Sequence, residues 1–206
     1  MRNGWAFAFV LCVCASSATS EPLSREPRPS GADRDAAALA AELRALSPRV
    51  RPQEAQRLAE GAYASTRLLQ REYKIAWHPL FQNFLVNAGV RERGLCYHWT
   101  EDLLERLRVL RLKTLVLRWG VARPGTLREH NCLVVTAAGQ PFERGIVLDG
   151  WRRGGRLYWT HVARDHYPWR EDRSDYARAR LKRMAAREAS ANARIRLPRN
   201  GSPNSR

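Results

Sequence analysis

Cysteine, histidine and acidic residues are all scarce in this chain of 206 residues, and each scarcity excludes something. There are four cysteines and five histidines, with no His-Glu-x-x-His run and no paired Cys-x-x-Cys. The spacing that signals a zinc site is therefore missing, and neither a metal nor another cofactor is expected. Aspartate and glutamate total 20 against 36 lysines and arginines, a net charge of +16 to which arginine contributes nearly all the positive part. A solvated face is the simplest use of such an excess; an anionic membrane surface or cell-wall polymer is the functional one. Long apolar runs are also rare. One spans Trp5 to Ala15, which is short for a bilayer crossing, and no second follows it.

That first run sits behind Arg2 and ahead of Ser16, Ser17, Ala18, Thr19 and Ser20. A basic start, an apolar middle and small residues at the end form the pattern of a secretory signal peptide over residues 1–20. Periplasmic or secreted location is expected, and export makes nucleic acid the least fitting partner. Cys14 offers an alternative, a lipoprotein anchor, but Val13 stands where a lipobox carries a small residue. Residues 21–33 are rich in Pro, Ser, Arg and Gly and read as a flexible leader.

One domain is expected over residues 34–170. Leu39, Leu43 and Leu46 keep helical spacing from Ala36 to Leu46, and a longer helix runs from Pro52 to about Trp77. A short helix carries Leu80, Phe81, Phe84, Leu85 and Ala88 as far as Gly89. A fourth spans about Cys96 to Leu110, with Leu103, Leu104 and Leu107 buried and Glu101, Asp102, Glu105, Arg106 and Arg108 facing water. The period then changes to alternation. Strands are expected over Thr114–Trp119, Asn131–Ala137, Gly145–Asp149 and Leu157–Val162. Helices first and a small antiparallel sheet afterwards make an α+β fold. Residues 171–206 form a basic helix and a disordered tail; from Arg170 onward eleven basic residues face four acidic ones.

Three segments carry chemistry: Gly94-Leu95-Cys96-Tyr97-His98-Trp99, then Glu129-His130-Asn131-Cys132, then Ile146-Val147-Leu148-Asp149-Gly150-Trp151. Cys96 opens a helix, where the dipole and unsatisfied backbone amides favour a thiolate and can hold an oxyanion. His130 is placed to take its proton, and Asp149 to fix the histidine's tautomer. Each has a simpler role as well. Cys96 can pair with Cys132 in a disulfide, His130 can be a core histidine, and Asp149 can cap the turn before Gly150. His161 and Asp165 form a rival pair, while His98 and His166 fit no such role.

Gly-x-Cys opening a helix, a histidine on a strand, and an aspartate followed by Gly-Trp resemble the core of the transglutaminase-like superfamily, over about Trp77 to Trp169. The resemblance implies a papain/transglutaminase-like core and acyl transfer from peptide or protein amides, by hydrolysis or transamidation. Cys96 would be the nucleophile, His130 the base and Asp149 the orienting carboxylate. Members of the family often carry an upstream aromatic oxyanion donor; Trp77, Asn83 and Asn87 are candidates, and Trp99 and Trp151 are candidates for a substrate groove. The alternative is a non-catalytic binding module of the same fold, closed by a Cys96–Cys132 disulfide and gripping an anionic envelope component.

Overall fold

The computed structural model describes residues 31–75 and 78–196. The apolar start with Cys12 and Cys14, the leader as far as Ser30, Trp77, and the tail from residue 197 lie outside the described residues. Helix α1 (Gly31–Ala45) begins inside the stretch read as leader. Helix α2 covers Pro52–Glu72, α3 Pro79–Asn87 and α4 Cys96–Arg108. Strands β1 (Leu115–Ala122), β2 (His130–Ala137), β3 (Ile146–Asp149), β4 (Tyr158–His161) and β5 (Trp169–Glu171) follow, and α5 (Asp175–Arg196) closes the described chain.

Helix α2 starts where expected, with Pro52 in its first turn. It stops at Glu72, short of the expected Trp77. Tyr73 caps it, and Lys74 turns the chain away at a left-handed φ of 49°. The strand pattern gave no hint of β5, which has three residues and is too short to display alternation.

All five strands pair antiparallel in the order β4-β3-β2-β1-β5, so the fold is α+β, with N-terminal helices followed by a small antiparallel sheet. Every residue of the central strand β2 is buried, because both faces of the sheet are covered. Leu133, Val135 and Ala137 pack with Leu115 and Trp119 beneath α1, α2 and α4. Cys132 and Val134 alternate to the other face, against Ala122, Phe142, Val147, Val162 and Trp169.

Helix α4 buries Leu103, Leu104 and Leu107 as its spacing predicts. Glu101, expected in water, is buried on the same helix. Arg93 donates to its carboxylate at 3.3 Å, and Arg180 of α5 also pairs with it. These partners compensate the carboxylate for lost water and tie α5 to α4. Asp102 is likewise taken up, by two bonds from Arg93 and one from the Tyr73 hydroxyl.

A close contact fixes the turn after β3. A Cβ on Gly150 would lie 2.5 Å from Cε3 of Trp99. That ring is 2% exposed and held edge-on to Tyr73 at 4.8 Å, so it has no space to retreat. Gly150→Ala should therefore destabilise the protein by about 1–3 kcal/mol, read by urea unfolding. A loss below the error of the measurement would contradict this packing.

Candidate active site

Cys96 is the first residue of α4 and is partly exposed. The chain reaches it through a turn fastened by His98, whose Nδ1 accepts from the backbone N–H of Gly94 and of Leu95, each at 3.2 Å. Burial and the nearby Arg93 push the His98 ring down to about 4, so it stays neutral and keeps that lone pair at neutral pH. His98 thus holds the turn that presents the thiol.

His130 opens β2 and Asp149 closes β3, at the same end of two neighbouring strands. The His130 Nε2 contacts Asp149 Oδ2 at 2.7 Å. This leaves Nδ1 outside the carboxylate contact, and Cys96 lies near enough to act on the charge of the ring. Trp151, Tyr167 and Trp169 surround the imidazole with ring centres 4.8, 5.0 and 5.4 Å away. Burial alone would disfavour a charge on His130. The hydrogen bond to Asp149 and the influence of the nearby Cys96 outweigh it and raise the ring to about 9.

Asp149 is buried and still held below the usual carboxylate range. Burial opposes this, but His130 and Arg152 supply compensating charge and hydrogen bonds. Its Oδ1 accepts from the backbone N–H of Trp151 and Arg152 at 2.9 and 3.0 Å, so it caps the turn as well. Its Oδ2 also accepts from Arg152 Nε at 3.1 Å. Both suggested roles of Asp149, turn cap and histidine partner, are filled by one side chain.

Arg152 is held in turn by Asp165, through bonds of 3.0 and 2.8 Å, and Asp165 accepts from Trp169 Nε1 at 2.9 Å. Asp165 is therefore committed to Arg152, and the rival His161–Asp165 pair does not form; His161 meets Glu42 at 2.8 Å instead. His166 is largely exposed and also touches Asp165.

The structure separates the other candidates. Asn83 accepts from Trp151 Nε1 at 2.9 Å, which sets α3 beside the histidine's aromatic cover. Asn87 is exposed at the last position of α3. Trp99 belongs to the core under α4 and lines no groove, because Gly150 and Tyr73 pack against it. Trp151 is only partly buried and remains beside the site. Cys96 and Cys132 are both free thiols, so the alternative Cys96–Cys132 disulfide is not formed. Cys132 shares a strand face with His130, as expected. It is sealed in the smaller core cluster, where burial pushes its thiol well above the usual range.

Three participants were not anticipated: Asn131, Arg152 and Tyr167. Starting β2 at His130 would have placed Asn131 on the opposite face, toward the helices. Tyr167 lies in a segment without regular alternation, so nothing local tied it to the histidine.

The chain matches no family model, no curated protein and no solved structure.

Proposed function

We propose that this chain is a transglutaminase-like cysteine hydrolase or acyltransferase with a papain/transglutaminase-like core, acting on amide bonds of peptides or proteins. The observation that carries the reading is the buried His130, joined by one nitrogen to Asp149, with its charge favoured by the neighbouring Cys96 at the start of α4. His130, raised to about 9, already holds the proton that Cys96 gives up, and the sulfur attacks the carbonyl carbon as a thiolate. Asp149 stabilises the imidazolium, and His130 then returns the proton to the departing amine. Water or a second amine releases the acyl group.

The sequence of residues 1–20 supports export to the periplasm or beyond. The exposed Arg178, Lys182, Arg183 and Arg187 along α5 support contact with an anionic membrane surface or cell-wall polymer. The non-catalytic alternative, a disulfide-closed binding module, makes the opposite prediction for one variant.

Cys96→Ala is that variant. The enzyme reading expects it to abolish acylation by an activated ester while unfolding stays within about 1 kcal/mol of wild type. A disulfide-closed module would instead lose about 2–4 kcal/mol under non-reducing conditions. That loss, with no acylation in the parent protein, overturns the enzyme reading.

A further inference from the structure

The thiol has a neighbour that the mechanism above does not use. Asn131 Nδ2 points at Cys96 Sγ from 4.0 Å. Which end of the amide faces the sulfur is decided by Trp119, whose indole N–H can only donate and does so to Asn131 Oδ1 at 2.8 Å. The oxygen is thus turned to the core and the NH2 group to the site. Glu129 Oε1 accepts from the same Nδ2 at 3.3 Å. The amide is buried and anchored at both ends, with a donor group beside the nucleophile.

We infer that Asn131 is a catalytic residue, the side-chain oxyanion donor of the acyl-transfer site. The inference rests on the acyl-transfer reading of Cys96 and deepens it. When the thiolate sulfur bonds to the carbonyl carbon, the C=O π pair moves to oxygen and leaves a negative charge there. That oxygen lies two bonds from Sγ. A donor 4.0 Å from the sulfur is in range to reach it at about 2.7–3.1 Å. The first-turn N–H of Cys96, which has no acceptor within its own helix, is the natural second donor. Collapse re-forms C=O and breaks the bond to the leaving group: an amine that takes the His130 proton, or a phenolate that needs none.

The role differs from holding the thiol, and two reagents separate them. Iodoacetamide alkylates sulfur by displacement of iodide, with no carbonyl oxyanion. p-Nitrophenyl acetate acylates sulfur through one, releasing p-nitrophenolate. The readout is the ratio of the two rates at Cys96 in the full chain, with folding followed by circular dichroism. Asn131→Ala should lower the acylation-to-alkylation ratio about 10²–10³-fold. Asn131→Asp keeps an acceptor for Trp119 and removes the donor, so its ratio should fall as well; it serves if the alanine variant does not fold. A ratio unchanged in the folded variants overturns the inference and leaves the enzyme reading intact. Wild-type Cys96 that is not acylated at all overturns both.

Discussion

His130→Ala should slow alkylation of Cys96 by iodoacetamide at neutral pH by roughly 10²–10⁴-fold. In the proposed mechanism the thiol is reactive because the imidazole holds its proton, and the ring is fixed for this by Asp149. Removing it leaves the sulfur at the same helix end, with the amides of that helix but no base. A rate within a few fold of wild type would mean that the helix terminus alone activates the thiol, and His130 would revert to a core histidine. The same ring makes stability depend on pH. Its folded value is raised to about 9 from an ordinary 6.5. The stabilisation is complete below about 6.5 and is lost as pH rises through about 9. Urea unfolding across that window should show a declining wild type and a flatter His130→Ala.

Asp149→Ala should be the most destabilising single change at the site, at about 3–5 kcal/mol. It removes the buried partner of His130 and of Arg152, together with two hydrogen bonds that close the turn after β3. Asp165 still holds the far side of Arg152, but the histidine is left buried with no anion beside it. Asp149→Asn separates the contributions. Its side-chain oxygen can still receive the backbone N–H groups of Trp151 and Arg152, so much of the stability should return. The charge does not, and Cys96 alkylation should stay slow. Unfolding measured for both variants checks this; equal losses for Ala and Asn would show that the turn matters little and the charge carries the whole effect.

The parts of the fold legible in the sequence were those with long, regular patterns. Leu103, Leu104 and Leu107 marked the buried face of α4, and Leu115, Leu117 and Trp119 the inner face of β1. What escaped was decided by contacts between distant segments. Glu101 reads as a surface residue of an amphipathic helix until Arg93 and Arg180 are brought to it from outside α4. In α3, Leu80, Phe81 and Phe84 remain 63, 47 and 63% exposed while Gln82 is buried, because its amide donates to the Tyr73 and Arg93 carbonyls. No periodicity in nine residues reveals that inversion.

The site followed the same division. Cys96, His130 and Asp149 could be named from their order and from the helix and strand ends they occupy. Their supports could not. Arg152 follows Asp149 by three residues, yet its place depends on Asp165, thirteen residues further on. Asn131 becomes informative only once Trp119 of the neighbouring strand fixes its amide. A pattern reports which residue types stand at which intervals. It does not report which ring nitrogen meets a carboxylate, or which end of an amide faces a thiol.

The central claim is that Cys96 is a free, activated nucleophile while Cys132 is inert. The most direct test is to purify the protein without reductant, alkylate it briefly at mildly acidic pH and map the labelled cysteines by mass spectrometry. The account predicts rapid label on Cys96, none on Cys132 before unfolding, and slower label on Cys96 in His130→Ala. An unlabelled protein that yields a Cys96–Cys132 linked peptide and reacts only after reduction would contradict it.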